Sequence, residues 1–387
     1  MTANMELTLQ EALQCNLTQY ASGSSCFDND STPVTSPYVP PRLYSEPLWL
    51  QVVLGIVYAV TSVLAAVGNL TVCYIVLGNA RMRTVTNYFI VNLAISDFLM
   101  AVLCVNLTFY YTLHFHWPFG FVMCALVQYV QMVTVSISIF TLVAISLDRY
   151  VAIIHPLRPR MTKKQALVVI AVIWILAGGV SLPAGINSKL SSPPNSSTLV
   201  CKEEWATEKS RKIYTITLMV LQYFLPLLVL SIAYAIIGYA IWGRKAPGER
   251  QRHRDARQAE SKRKLVKMFA LIVVIFALCY LPIHTFNLLL DHKPKLSSHK
   301  YIKLVFYGVH WVAMSNCVYN PFVYCWMNAK FRNGFKYVFR FLPCVHYVPR
   351  EEGPLRRVST YTTNIESFKM TLRKENSLSP YSNGEMH

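Results

Sequence analysis

Five nearly uncharged stretches, Val52–Leu77, Val122–Leu147, Ala166–Ala184, Ile213–Trp242 and Leu265–Leu290, constrain the fold of this chain more than any other feature. Each reaches or exceeds the length of about 20 apolar residues that a helix needs to cross a hydrocarbon core. A helix on the surface of a soluble core buries one stripe only and needs no such run. Seven helices are expected, at roughly 48–77, 85–113, 120–154, 164–185, 212–243, 262–291 and 300–327. The fold class that follows is an all-α membrane protein, a seven-transmembrane helix bundle.

Charge sets its orientation. Only 14% of residues are charged, yet the formal net charge is +18, which in a soluble chain suggests nucleic acid as partner. Here Arg81, Arg83, Arg158, Arg160, Lys163, Lys164, the run from Arg244 to Lys267, and Lys330, Arg332, Lys336 and Arg340 all fall on one side of the spans. Basic residues collect on the cytoplasmic side of multi-pass proteins, so no nucleic-acid partner is expected. An odd number of spans then puts the N-terminus outside and the C-terminus in the cytoplasm, with the plasma membrane as location.

Residues 1–47 are polar, Ser-, Thr- and Pro-rich, and read as a translocated tail carrying glycosylation sequons at Asn16 and Asn29. Residues 48–328 form the seven-span core. Within 329–342, Phe331, Phe335, Val338 and Phe339 recur at helical spacing with Lys and Arg between them, the pattern of a short amphipathic helix lying against membrane lipid on the cytoplasmic side. Cys344 follows it, either palmitoylated or a plain thiol. Residues 343–387 read as a disordered cytoplasmic tail, in which Ser359, Thr360, Thr362 and Thr363 are candidates for phosphorylation by a receptor kinase and recognition by arrestin. Of ten cysteines, Cys73, Cys104, Cys279, Cys317 and Cys325 lie within spans as small core residues, while Cys15, Cys26, Cys124 and Cys201 face an oxidising compartment.

Polar groups inside a membrane are costly and mark function unless they are satisfied core groups. Asn69, Asp97 and Asn320 sit mid-span, and Asp148-Arg149-Tyr150 closes the third helix. Pro226, Pro282 and Pro321 lie within helices, either as hinges or as static bends. Gly68-Asn69, Asn92-Leu93-Ala94 with Asp97, Cys124, Asp148-Arg149-Tyr150, Trp174, Cys201, Pro226 with Tyr234, Phe276 with Cys279-Tyr280-Leu281-Pro282, and Asn320-Pro321-Phe322-Val323-Tyr324 occur in order, distributed over the helices.

In these motifs the chain resembles a rhodopsin-like G-protein-coupled receptor, over roughly residues 48–344. The resemblance implies a Cys124–Cys201 disulfide over an outer cavity. It implies a sodium-binding cluster of Asp97, Asn69, Ser138 and Asn320, with no other cofactor. It also implies a switch in which Asp148, Arg149, Tyr150, Tyr234 and Tyr324 rearrange to admit a heterotrimeric G protein, with Leu157 contacting its α subunit. Ile139, Pro226, Phe276, Tyr280 and Pro282 match the family's packing switch, although Tyr280 stands where most relatives carry Trp. Lys262-Arg263-Lys264 stands where some relatives carry an acidic partner for the arginine.

Met314 occupies the position where opsins carry a lysine, and no acid occurs from Cys124 to Ser146 to hold an amine. The cavity positions are Gln128, Gln131, His284, Asn287, Tyr307 and His310, groups suited to amide hydrogen bonds, although the two histidines fit ordinary packing equally. An extracellular peptide is the expected ligand, and a rim mixing Glu203, Glu204, Glu208 and Asp291 with Lys189, Lys202, Arg211 and Lys293 suits either charge. Arg83-Thr-Val-Thr-Asn-Tyr-Phe89, Val200-Cys-Lys-Glu-Glu-Trp205 and Tyr223-Phe-Leu-Pro-Leu-Leu228 are similar to the tachykinin-type receptors, which implies Gq coupling. Cys104 and Thr108 replace asparagines expected in that group, so neuropeptide-Y-like or other amidated-peptide receptors stay open. A transporter or channel is the rival reading, with Asp97 and Asp148 as a relay, but no internal repeat supports it. No constellation of an enzyme appears.

Overall fold

The computed structural model describes residues 46–192, 198–243, 252–293, 296, 299, 301–343 and 345–346. Asn16, Asn29, Cys344 and the tail phosphorylation sites lie outside them. Among the described residues seven long helices follow one another: α1 (Leu48–Gly78), α2 (Val85–Leu99, a π segment Met100–Val105, then Asn106–His114), α3 (Gly120–Ile154), α4 (Lys163–Asn187), α5 (Glu208–Met219, a π segment Val220–Phe224, then Leu225–Gly243), α6 (Arg252–His292) and α7 (Ile302–Met327). A short α8 (Ala329–Val338) comes after them. α6 begins at Arg252, nearly three turns before the expected boundary. The expected amphipathic helix ends at Val338 rather than 342.

Six of the seven are long and apolar enough to cross a membrane. α7 is the exception, and Lys303, His310, Asn316 and Asn320 in its sequence account for the lower hydropathy. The bundle is arranged for lipid. Val52, Val53, Ile56, Val60 and Val63 of α1 and Leu167, Val168, Ile175 and Leu176 of α4 face outward. α3 runs through the interior, with its polar Thr134, Ser136, Ser138 and Thr141 all buried. These four hydroxyls are all hydrogen-bonded, as a medium without water favours. Asn92 of α2 donates to Thr141 Oγ1 of α3 at 2.8 Å and accepts from Trp174 Nε1 of α4 at 2.8 Å, so one amide ties three helices.

Local sequence explains the ends. Thr84 caps α2 by accepting from the Asn87 amide, and Thr162 with Gln165 forms a capping box at α4. The chain passes through Pro183, Pro226, Pro282 and Pro321 without leaving helical form. Pro226 lies two residues past the π segment of α5, where the hydrogen-bond ladder is already re-registered.

One element departs from the all-helical expectation. Ser188–Ser191 (β1) and Val200–Glu203 (β2) form an antiparallel hairpin, with Leu190 opposite Cys201. Strands of four residues inside a polar loop leave almost no periodic signal.

α8 packs through Phe331, fully buried and 5.4 Å from the Tyr324 ring. Gly334 makes a close approach possible: a Cβ there would meet Ile75 side-chain atoms of α1 at 2.7–2.9 Å.

Candidate functional site: an outer polar chamber and an inner switch

The outer end is closed by the hairpin. Cys124 at the start of α3 is bonded to Cys201 of β2, with Cα atoms 5.6 Å apart, as the resemblance implied. Trp117 packs beside this bond with Tyr111, Val127 and Val200, and its backbone N–H donates to Leu199 O at 2.7 Å. The hairpin is therefore held at two points, covalently to α3 and by hydrogen bond to the α2–α3 turn.

Beneath it lie the six expected ligand positions, all buried. Gln131 accepts from Thr108 Oγ1 at 3.4 Å, and Tyr307 donates to Thr112 O at 3.4 Å. Gln128 is buried on the same helix as Gln131. His310 is a packed histidine on one side, with Nδ1 2.9 Å from the Tyr58 hydroxyl and its ring 5.2 Å from Phe306. His284 lies 4.6 Å from the Tyr223 ring. Yet His284 Nδ1, His310 Nε2 and both amide atoms of Asn287 are buried with no partner. Buried amide groups are normally paired, so a complementary polar group is the missing element. Gln222, which donates to Ser136 Oγ at 2.8 Å, and Tyr58 belong to this region and gave no signal in sequence beyond being polar.

The charges of the rim are largely paired with one another. Lys189 and Lys202 both reach Glu204 at 3.3 Å, Arg211 reaches Asp291 at 3.2 Å and Glu208 at 3.7 Å, and Lys212 reaches Glu208 at 2.9 Å. Partial burial pushes the Glu204 carboxyl up, but the two lysines outweigh it and hold it below the usual glutamate range.

Below the chamber lie the residues named for the packing switch. Ile139, Phe276 and Tyr280 lie in the main core, with the rings of Phe276 and Tyr280 4.6 Å apart, while Pro226 is buried on α5 and Pro282 follows Tyr280 by two residues on α6. Tyr223 donates to Ala277 O at 2.9 Å, joining α5 to α6 at this level.

At mid-membrane Asp97 Oδ2 accepts from Asn320 Nδ2 at 2.7 Å and Oδ1 accepts from Ser138 Oγ at 3.4 Å. Asn69 is adjacent in role but differently bonded. Its Nδ2 donates to Ala65 O and Cys317 O, both at 2.9 Å, and its Oδ1 is buried without a partner. One carboxylate, one hydroxyl and one orphaned carbonyl oxygen are hard donors that fit a small cation such as sodium.

At the cytoplasmic end Arg149 donates to Asp148 Oδ2 from Nε at 3.2 Å and from Nη2 at 2.5 Å. Sequence reasoning missed Thr86 of α2, whose hydroxyl donates to Asp148 at 3.5 Å and accepts from Arg149. A threonine on a helix has no signature of such a role. The hydroxyls of Tyr234 and Tyr324 are buried without a hydrogen-bond partner, so neither is bonded to Arg149 in this conformation. Tyr150 packs edge-on against His155 at 5.9 Å. Leu157, 98% exposed at the tip of the next loop, is available to a partner.

Residues 68–324 match the family described as 7 transmembrane receptor (rhodopsin family). The chain is 39% identical over 369 residues to the RYamide receptor of Drosophila melanogaster, covering 89% of this chain and 79% of that protein. It is 42% identical over 302 residues to the Tachykinin-like peptides receptor 99D of Drosophila melanogaster, covering 76% of this chain and 58% of that one. Against the Substance-P receptor of Homo sapiens it is 40% identical over 322 residues, 82% of this chain and 78% of the relative. The chain belongs to the rhodopsin family of seven-transmembrane, G-protein-coupled receptors, close to those for neuropeptides.

Proposed function

We propose that this receptor binds an extracellular amidated peptide of RYamide or tachykinin type and passes the signal to a heterotrimeric G protein of the Gq type, releasing calcium. The observation that carries this reading is Asn287, whose donor and acceptor are both buried and unsatisfied, with His284 and His310 each offering one further open nitrogen. A terminal carboxamide has a donor and an acceptor in the same plane and complements these atoms, whereas a lone amine has no acceptor for them. The names of the relatives support the same class of ligand.

Occupancy of the chamber would act on α6 through Tyr280, Phe276 and the Tyr223–Ala277 bond, and so bias the cytoplasmic end. Sodium held by Asp97, Ser138, Asn320 and Asn69 would add charge stabilisation to the resting arrangement. Release of Arg149 from Asp148 and Thr86 would let it meet Tyr234 and Tyr324 as the cleft opens. Glycosylation at Asn16 and Asn29, palmitoylation of Cys344, and tail phosphorylation with arrestin binding belong to the same proposal, as does a plasma-membrane location with the N-terminus outside.

The test is a panel of amidated RYamide-type and tachykinin-type peptides, each beside its free-acid form, assayed for calcium release in cells expressing the chain. Response to an amidated form with loss of at least about tenfold potency for the acid supports the reading. Equal potency of acid and amide would remove the role given to Asn287.

A further inference from the structure

The acids of the outer surface are unequal. Glu204, Glu208 and Asp291 each have a basic partner, as described above. Glu203 has none among the described residues, although it is only 4% exposed. It ends β2, and side chains two apart on a strand share a face. Glu203 therefore points to the side of Cys201, which is bonded to α3, and so toward the bundle rather than away from it.

Its surroundings are specific. Trp205 Nε1 donates to Glu203 Oε2 at 2.9 Å. The same indole rests against the Tyr214 ring of α5, with centroids 4.9 Å apart and planes tilted by 36°, and Tyr214 is fixed by donating its hydroxyl to Val180 O at 3.2 Å. Burying a carboxylate without a counter-charge is destabilising, and one indole hydrogen bond offsets only part of that. A carboxylate flanked by two aromatic rings is complementary to a planar cation, which can hydrogen-bond to the oxygen and lie against a ring face.

We propose that Glu203, with Trp205 and Tyr214, is the subsite for a cationic side chain of the ligand, a guanidinium above all, and so selects peptides carrying a basic residue. This rests on the peptide-receptor reading above, but its test does not need the peptide. The purified full-length receptor is melted in the presence of millimolar L-argininamide or L-citrullinamide, which differ in charge and little in shape. Reaction of a thiol-specific dye with the buried Cys104, Cys279 and Cys317 reports unfolding. Argininamide is expected to raise the midpoint by about 2–4 °C and citrullinamide to leave it unchanged. Glu203→Gln is expected to abolish the shift, while Glu203→Asp keeps part of it.

Without any probe, Glu203→Gln should melt no lower than the parent protein, since it removes an unpaired buried charge. The proposal is overturned by no shift with argininamide, by equal shifts with both probes, or by a shift that survives in Glu203→Gln. It is equally overturned if Glu203→Gln alone melts lower, which would mark the carboxylate as structural. Failure of the amidated-peptide panel leaves these outcomes readable, and their failure leaves the panel readable.

Discussion

The hydroxyl of Thr86 on α2 is hydrogen-bonded to both Arg149 and Asp148 of α3, which are themselves in direct contact. The sequence places basic residues, Lys262 to Lys264, where some relatives offer the arginine an acid from α6. In this structure Arg149 is held by Asp148 of its own helix and by Thr86 of α2. Thr86→Ala is expected to raise agonist-independent signalling. A loss of about 1 kcal/mol would shift the resting equilibrium roughly fivefold. Basal inositol phosphate accumulation, normalised to surface receptor, measures this. Thr86→Ser should stay near the parent level.

Cys124→Ala or Cys201→Ala should abolish the peptide response. The bridge closes a sequence separation of 77 residues and anchors β2 over the chamber. Losing such a bond costs about 2–5 kcal/mol. Surface labelling with calcium imaging separates failure to fold from failure to bind, and both mutants should behave alike.

Gly334→Ala should destabilise the receptor by about 1–3 kcal/mol, the usual range for overpacking. The added carbon meets Ile75 well inside contact distance, so α8 or α1 must shift. The melting midpoint of the purified receptor measures the loss, and Ile75→Ala in the same chain should recover part of it.

Acid should weaken the hairpin through Glu204. Its folded carboxyl titrates below the ordinary value of 4.5 because Lys189 and Lys202 outweigh burial. A group with a depressed folded value contributes stability above its unfolded value and loses it as pH falls through the folded one. Thermal stability should therefore be flat from neutral pH toward 4.5 and fall below it, and Glu204→Gln should flatten part of that fall.

The helices and the inner switch were legible in the sequence for a physical reason. A span must be apolar for about 20 residues, so any Asp97 or Arg149 within or beside it stands out. Trp174 and Asn92 were recognisable as motif positions, though their mutual bond was not. Thr86, Gln222 and Tyr58 stayed hidden because small polar and tyrosine side chains occur throughout membrane helices. The hairpin was missed because pairing of β1 with β2 depends on tertiary anchoring at Cys124 and Trp117 rather than on local pattern. The pairing within the rim was not legible because Arg211 on α5 and Asp291 on α6 are 80 residues apart in the chain.

The central claim is that filling the outer chamber changes an inner surface through Arg149. The direct measurement is agonist-dependent nucleotide exchange on purified Gq by the receptor and by Arg149→Ala, with peptide binding measured on the same preparations. The account predicts that Arg149→Ala binds peptide within about threefold of the parent and drives essentially no exchange. Full exchange by Arg149→Ala, with binding intact, would contradict it.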